Sequence, residues 1–488
     1  MILIKNEFSA KLCYLLLIIF FGNLGGIKAQ EHSPIKQSPN LYFRAPAVIP
    51  GTLPEMRDSS FWLKRMNDPE KIILSLNQIE EMNQNYQEKM LEIPQMDSSS
   101  LQQIEREFRS RPGLIGTKPD LTSFTEAEIS DQIQNILNME INYLRRGKFG
   151  NKLGIEYSSE ELDAIQREIN YSKSGEVSPI KSGITVKETR LRIIPAIRPE
   201  YMGLLNTAKT RWDLWNLDIL PLATAVDVLY GSRTGAFLLV ATSRGYGWVP
   251  TENIAFSSKN ELHEFINQNK YVICTGDKVP FYSDSRTLYA SGSFKMGDRL
   301  PVANDNKRIV KIPTRNSNGN LEIEKVWLAE NADVNEGYLD YNKKNVVQQA
   351  FKLLDNIYDW TGGWYGRNHA TVLRDIFRTF GFELPGNGIL LSYYSPIVET
   401  LLPETSEEEK FKVINSHIPF LTLQICSSGH SQLYLGAYEG TPIVFDTHGY
   451  GYFDEIKGNV MEIKRCVLGT VMLPDYFLDQ TVTFVKLY

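Results

Sequence analysis

Residues 341–388 read YNKKNVVQQAFKLLDNIYDWTGGWYGRNHATVLRDIFRTFGFELPGNG. Two helical patterns flank a loop that is rich in glycine and tryptophan. The second pattern begins near Asn368, a good N-cap residue, and stops at Gly381. The loop at 359–364 separates the patterns because paired glycines favour turns. The first pattern has apolar residues at helical spacing: Val346, Val347, Ala350, Leu353, Leu354 and Ile357.

His369 lies at the start of the second helical pattern, four residues before Leu373 and seven before Ile376. This spacing predicts that His369 faces the buried side of the helix. Unpaired backbone N–H groups and the positive end of the helix dipole meet at this position. It suits an anion such as a thiolate best, a neutral imidazole less well and an imidazolium least.

These motifs resemble the NlpC/P60 family of bacterial cell-wall cysteine peptidases, in the group with two bacterial SH3-like domains before the catalytic domain. The motif of that group reads roughly Tyr-x-Trp-Gly-Gly, then Asp-Cys-Ser at the start of a helix, then Phe-Gly-x-x-Leu-Pro-Arg-Asn-Ser. The corresponding segments here are 358–363, 368–370 and 380–388. The order and spacing agree apart from one additional residue, Thr361.

The residues that carry the chemistry differ from this pattern. His369 occupies the position of the family's nucleophilic cysteine, and both of its neighbours differ as well. Gly386 and Gly388 stand where the family has arginine and serine, so two polar groups beside the site are absent. The resemblance therefore implies the fold of a cysteine peptidase without its sulfur nucleophile.

A second motif is similar to the part of the family that carries the general base. The segment GHSQLYLG at 429–436 resembles Gly-His-x-x-Leu-Tyr-Leu-Gly, whose histidine is that base, and His430 takes its position. The next strand supplies the third polar residue, which orients the base. Asp446 is favoured for this role because it follows the strand in phase with Val444, and His448 is the alternative.

In the family a histidine takes the proton of the cysteine thiol, and the third residue fixes the tautomer of that histidine. Loss of the nucleophile from such a triad removes on the order of 10⁴–10⁶ in rate. The sequence therefore predicts a murein-directed, NlpC/P60-like protein, a degenerate γ-D-glutamyl-diamino acid peptidase. It is expected to bind murein stem peptides, or similar short peptides, with little or no cysteine-type hydrolysis and no cofactor.

Two other functions compete with this one. His369, His430 and either His448 or Asp446 are a possible zinc ligand set for an active hydrolase, although their spacing matches no zinc signature. A structural or partner-binding scaffold is the other alternative, with the histidines as hydrogen-bonded remnants. The aromatic loop would stack on a peptide or pack against an SH3-like domain through Trp360, Trp364 and Tyr365.

The predicted fold class is multidomain, with a helical N-terminal segment, two SH3-like β-barrels and a C-terminal α+β papain-like (NlpC/P60) domain. Short alternating runs split by glycines predict the barrels, and GYGWVP at 245–250 resembles the GWV signature of bacterial SH3-like domains. The predicted boundaries are a signal peptide at 1–29, a helical N-terminal stabilising domain at 30–180, barrels at 181–262 and 263–340, and the NlpC/P60-like domain at 341–488.

The N-terminus resembles a secretory signal because Lys5 and Lys11 precede or flank an apolar run at 12–21 that is too short to cross a bilayer. Cleavage is expected after Ala29, and an uncleaved anchor is the alternative. The protein is therefore predicted to be periplasmic or at the cell surface. Farther along, Asp68 and Pro69 predict a helix start, and two more helices are expected at 125–144 and 159–171.

The composition excludes a nucleic-acid partner because the formal net charge of −6 lacks the basic excess that phosphate binding needs. The mature chain keeps Cys274, Cys426 and Cys466, too few for a disulfide framework. They are expected to be buried as small hydrophobic residues, with a 426–466 bridge as the alternative. The remaining histidines, His32, His263 and His417, are expected to be exposed.

Overall fold

The computed structural model describes most of the chain beyond residue 42. Phe43–Tyr488 forms one compact unit. The predicted signal peptide, His32 and the aromatic loop with Trp360, Trp364 and Tyr365 lie outside the described residues. The described ranges are 43–92, 126–146, 149–151, 156–169, 181–196, 201–203, 215–242, 245–359, 366–394, 399–449, 451–454, 459–473 and 477–488.

The helices are distributed along the whole unit, and short 3₁₀ turns lie at Pro54–Arg57 and Thr251–Asn253. In this part of the chain no helix is long and apolar enough to cross a membrane. The α-helices are α1 Ser59–Leu63, α2 Leu76–Glu92, α3 Glu126–Arg146, α4 Ser159–Ile169, α5 Lys259–Ile266, α6 Lys343–Phe351, α7 His369–Arg378, α8 Gly388–Leu391 and α9 Glu407–Asn415.

The first strands, β1 Phe43–Arg44 and β2 Phe149–Asn151, join small sheets with later strands. The strands of the first barrel region are β3 Lys181–Thr185, β4 Thr189–Arg192, β5 Tyr201–Gly203, β6 Asn216–Leu220, β7 Ala225–Gly231, β8 Phe237–Thr242, β9 Gly245–Pro250 and β10 Ile254–Ser257. Those of the second are β11 Tyr271–Cys274, β12 Lys278–Tyr282, β13 Ala290–Lys295, β14 Arg299–Ala303, β15 Asn306–Arg315, β16 Leu321–Leu328 and β17 Val334–Glu336. The C-terminal strands are β18 Glu399–Leu401, β19 Thr422–Cys426, β20 Ser431–Tyr438, β21 Thr441–His448, β22 Gly451–Asp454, β23 Asn459–Glu462, β24 Arg465–Thr470 and β25 Val482–Lys486.

Two seven-stranded antiparallel sheets occupy the ranges predicted for the barrels. Their strand orders are β10-β3-β7-β8-β9-β4-β6 and β13-β12-β16-β15-β14-β11-β17. Each sheet has its own apolar cluster, built on alternating inward residues such as Leu239 and Trp248 in the first and Val272 and Val310 in the second. The chain is thus a mixed helix-and-sheet protein with several sheets. The division into separate SH3-like domains stays a prediction.

The N-terminal helices pack against two different cores. Trp62 of α1 is buried beside Phe420 of the C-terminal region, and Asn83 of α2 donates to the backbone oxygen of Gly381. Helices α3 and α4 instead bury their apolar faces against the first seven-stranded sheet. There Glu140 of α3, 1% exposed, accepts a hydrogen bond of 2.8 Å from the Trp248 indole N–H.

The helix predicted to start at Asp68 does not form there. Asp68 has a φ of +47°, a left-handed conformation that no helix N-terminus uses. The following residues pair with another part of the chain, since the backbone N–H of Ile73 donates to Tyr341. Helix α2 begins after Ser75, whose side chain accepts from the backbone N–H of Gln78. Tertiary backbone pairing therefore overrides the local helix signal.

The C-terminal region has a six-stranded sheet with the order β18-β25-β19-β20-β21-β24. Helices α6 and α7 cover one face of it, and their apolar residues share a core with β20 and β21. The predicted hairpin turn between β20 and β21 is confirmed, because Glu439 and Gly440 both have positive φ, +49° and +82°. A two-residue turn of this kind fits the right-handed twist of the strands.

Helix α6 ends earlier than its apolar pattern predicts. It stops at Phe351, and Ile357 is 61% exposed instead of buried. Asp355 takes a φ of +65°, and its backbone N–H donates to the oxygen of Cys466 in β24. The sheet edge therefore captures the chain before the helix can continue.

The three described cysteines are all buried and free, so the 426–466 bridge does not form. His263 is exposed as predicted, but the prediction for His417 is wrong. His417 is 5% exposed, lies against the Phe484 ring and has its Nε2 atom 3.6 Å from Glu399.

Candidate functional site

Helix α7 begins at His369, directly after the predicted N-cap residue Asn368. Asn368 is the N-cap, and its side-chain oxygen accepts from the backbone N–H groups of Ala370 and Thr371 at 3.0 and 2.8 Å. The hydroxyl of Thr371 accepts in turn from the backbone N–H of Asn368 at 2.9 Å. This reciprocal cap fixes the orientation of His369 and occupies two N–H groups that a helix end otherwise offers to an anion.

Strands β20 and β21 present the other predicted site residues. His430 comes directly before β20, after Gly429 with its φ of +90°. Asp446 and His448 are two residues apart on β21, so both lie on the same face as Val444. The two strands are antiparallel, with Leu433 opposite Phe445. Continued three residues further, this register brings His430 to the same end of the pair as His448.

The four predicted residues come together in one place. The His369 and His430 rings have centroids 4.9 Å apart and planes inclined by 30°. His430 Nε2 lies 2.8 Å from Asp446 Oδ1, and the His448 ring is 5.8 Å from the His430 ring, nearly at right angles. His369 is half-buried, whereas the other three are buried.

Neighbouring side chains hold these groups in place. The amide of Gln432 donates to Asp446 Oδ2 at 3.1 Å, so both carboxylate oxygens are engaged. His369 Nδ1 lies 3.3 Å from the hydroxyl of Ser431, which donates to the backbone oxygen of Gly429. The sequence motif contains Gln432 and Ser431, but nothing in their spacing showed these contacts.

Burial and the neighbouring imidazoles set the charges of the site. Burial, followed by the nearby His430, lowers the pKa of His369 to about 3, which leaves a neutral imidazole at ordinary pH. Burial alone would raise the pKa of Asp446. The interaction with His430, helped by His448 and Gln432, outweighs it and lowers that pKa to about 2. Asp446 is therefore an anion at neutral pH.

Two glycines shape the wall beside the histidines. A Cβ atom at Gly388 would collide with the backbone oxygen of Gly429, the residue before His430. A Cβ atom at Gly386 would collide with the Asp218 carboxylate and would come within 2.9 Å of Arg374 Nη1. The positions where the family has serine and arginine are thus filled by backbone and by other side chains.

A buried ion network lies along α7 and reaches both seven-stranded sheets. Asp375 accepts from Arg367 Nε at 2.8 Å and from Arg374 at 3.0 and 3.1 Å. Arg374 also donates to the backbone oxygen of Ile219 in β6 at 2.8 Å. Arg367 pairs with Asp277, in the turn after β11. Sequence reasoning missed this network because its partners are distant along the chain.

The whole architecture is similar to one solved structure. An NlpC/P60 endopeptidase from Photobacterium damselae subsp. piscicida superposes with a TM-score of 0.63 over 91% of this chain and 99% of that chain, at 18% identity. The chain shares that endopeptidase's fold. No family model matches the sequence, and no curated protein is similar to it in sequence.

Two further structures are more distant. An NlpC/P60 family protein from Bacillus cereus ATCC 10987 matches with a TM-score of 0.41 and 15% identity, over 63% of this chain and all of that chain. NlpC1 from Trichomonas vaginalis matches with a TM-score of 0.21 and 11% identity, over 61% of this chain and 94% of that chain. The Photobacterium structure, with its TM-score of 0.63, confirms the predicted likeness to NlpC/P60 proteins at the level of the fold.

Two buried cysteines near the site, Cys426 and Cys466, are poorly suited to act as nucleophiles. Cys466 contacts the Thr447 hydroxyl at 3.1 Å, and burial raises the pKa of its thiol to about 12. Burial also raises the thiol pKa of Cys426, which lies 3.2 Å from the Ser428 hydroxyl. A buried thiol with a raised pKa is a poor nucleophile because the thiolate is the reactive form.

Proposed function

We propose that the protein is a cell-wall-directed, NlpC/P60-like protein that binds murein stem peptides with little or no cysteine-type hydrolysis. One observation carries this proposal. His369 lies at the N-terminus of α7, at the position where the family has its cysteine. The centroid of its ring is 4.9 Å from that of His430, which is hydrogen-bonded to Asp446. The base and its orienting carboxylate are therefore paired, while the attacking group is a neutral imidazole.

A neutral imidazole at this position is a weak replacement for a thiolate. Activation of a nucleophile requires a base within hydrogen-bond reach of its proton. His369 Nδ1 lies 3.3 Å from the Ser431 hydroxyl, which is 1% exposed and itself bonded to the backbone oxygen of Gly429. With a neutral imidazole where the family has a thiolate, the proposed function is retention of a ligand and not attack on it.

The ligand class rests on the resemblance of the motifs and on the fold. The structure with the same fold is named an NlpC/P60 endopeptidase, and the family resemblance implies short cell-wall peptides with a free amino terminus. In this proposal the two seven-stranded sheets are SH3-like domains, the first of which contacts Arg374 of α7 through Asp218 and Ile219. The protein would act in the periplasm or at the cell surface after signal removal.

Calorimetric titration with the peptide L-Ala-γ-D-Glu-diamino acid tests the proposal. We expect saturable binding of the free peptide, weaker binding of the N-acetylated peptide, and no product by mass spectrometry. Turnover by the wild-type protein would overturn the assignment as a non-hydrolytic binder. Absence of both binding and turnover would favour the scaffold function.

The substitution His369→Cys tests whether the rest of the peptidase machinery remains. A cysteine there would lie at a helix N-terminus beside a histidine, the setting that lowers a thiol pKa. We expect detectable hydrolysis of the same peptide, and none with His369→Ser, which matches the size of cysteine without its acidity. Peptide binding without hydrolysis in His369→Cys would show that the other site residues have also lost their catalytic alignment.

A further inference from the structure

The trio of His430, Asp446 and His448 combines the pair used in the peptide-binding proposal with a third donor, His448, that the proposal does not use. One potential ligand atom from each of the three residues lies within 4.8 Å of the others. All three side chains are buried, at 6%, 1% and 1% exposure. Surface clusters of acidic groups are common, but two imidazoles and one carboxylate that share a buried face are a specific combination.

The distances fit a first-row divalent cation after a small adjustment. Zinc binds histidine nitrogen and carboxylate oxygen at about 2.0–2.2 Å, so tetrahedral ligand atoms stand about 3.3 Å apart. The separation of His430 Nε2 from Asp446 Oδ1 is 2.8 Å, already close to that value. The largest separation, up to 4.8 Å, exceeds it by about 1.5 Å. Small rotations about the side-chain torsions of His448 cover this difference.

The surroundings provide the support that metal ligands usually have. Gln432 donates to Asp446 Oδ2, which leaves the other carboxylate oxygen directed at His430. Phe477, whose ring centroid is 5.9 Å from that of His430, supplies an apolar wall. Outer hydrogen bonds and a hydrophobic shell of this kind orient ligands and raise metal affinity.

His369 lies beside this trio. It is half-buried, and its ring centroid is 4.9 Å from that of His430.

We propose that His430, Asp446 and His448 form a binding site for one Zn²⁺ ion, with a fourth coordination position left for water or a ligand atom. Three protein ligands with an open position are the arrangement of catalytic zinc sites. His369 is not one of the three ligands in this proposal. The site is independent of the peptide-binding proposal because it requires no peptide, and its test uses the metal alone.

Titration of tag-free, chelator-treated protein with ZnCl₂ tests the site. We expect one ion per chain, and about a 100-fold or greater loss of affinity in His448→Asn, since one of three ligands is gone. The matched control is His417→Asn, which removes another buried histidine beside a carboxylate and should bind zinc as the wild-type protein does. Equal affinity in wild type and His448→Asn would overturn the proposal, as would loss in the control alone.

X-ray absorption of the zinc-loaded wild-type protein decides the case even if His448→Asn fails to fold. We expect two imidazole ligands and oxygen donors, all at about 2.0–2.2 Å. Fewer than two imidazoles, or a sulfur ligand from a cysteine, would overturn the site. Because no peptide is present, this result stands apart from success or failure of peptide binding.

Discussion

The position of His369 keeps its imidazole neutral. Its half-buried ring stacks near His430, and both burial and that neighbour disfavour the protonated form. For Asp446 the charged form is favoured instead. Its contacts with His430 and Gln432 outweigh the effect of burial and keep the carboxylate ionised. The two residues therefore respond to acid through different mechanisms, and each can be tested alone.

The pH dependence of stability should change in His369→Gln. The folded pKa is about 3 and the unfolded value is about 6.5, so the unfolded chain binds a proton that the folded protein excludes. Stability is therefore lost as the pH falls from 6.5 towards 3. We expect urea denaturation at pH 7.5 and 5.0 to show a smaller loss in His369→Gln than in wild type. The exposed control His263→Gln should keep the wild-type loss.

Asp446→Asn should destabilise the protein at neutral pH. The folded pKa of about 2 lies below the unfolded value of about 3.9, a difference of about 2–3 kcal/mol in free energy of unfolding. This contribution is complete above about pH 5 and disappears as the pH falls towards 2. Denaturation curves from pH 7 to pH 3 should therefore converge for variant and wild type. A constant difference over this range would contradict the assignment.

At the scale of single helices and strands, features set by neighbouring residues were predictable from the sequence, whereas features set by distant contacts were not. The start of α7 followed from Asn368 and the apolar spacing, because a cap and a helix face are encoded within a few residues. The phase of Asp446 on β21 followed from alternation for the same reason. The end of α6 did not, because the backbone bond from Asp355 to Cys466 depends on the docked sheet.

Gly388→Ala tests the close backbone approach beside His430. A methyl group there meets the backbone oxygen of Gly429, which cannot move as a side chain can. We expect a loss of about 1–3 kcal/mol or more in free energy of unfolding, as for other overpacked sites. Gly231→Ala, at the end of β7 with nothing within 4 Å of the new methyl group, should stay within about 0.5 kcal/mol of wild type. Equal effects in both variants would refute the steric argument.

At the scale of the whole molecule, α7 is the element on which the regions converge. Arg374 of α7 donates to β6 of the first seven-stranded sheet, and Arg378 of α7 lies 3.3 Å from Asp298 in the turn before β14. Arg367, two residues before α7, pairs with Asp277 in the turn after β11. Alternation and glycine spacing predicted two barrels, at 181–262 and 263–340, in the part of the chain where these sheets lie. The sequence did not predict their attachment to α7, since charged residues in a helix pattern are ordinarily read as its solvent face.

Asp375→Asn should be among the most damaging conservative substitutions in the described chain. It leaves two buried guanidinium groups, on Arg367 and Arg374, without their shared carboxylate. Breaking a buried ion pair in this way costs about 3–5 kcal/mol. Glu252→Gln, which breaks an exposed pair with Lys187, should change the free energy of unfolding by less than about 1 kcal/mol. Chemical denaturation at pH 7 compares the two, and similar losses would argue against the network.

Folding is coupled to proton uptake by the buried Glu140. Burial raises the pKa of Glu140 well above the usual value, and the hydrogen bond from the Trp248 indole offsets only part of that rise. As the pH rises above about 4.3, the folded protein therefore keeps a proton that the unfolded chain gives up, and the stability of the folded state falls until its raised pKa is passed. On unfolding, Glu140 gives this proton to the buffer, and the heat of buffer protonation contributes to the measured unfolding enthalpy. The unfolding enthalpy in Tris should differ from that in phosphate, and Glu140→Gln should reduce the difference.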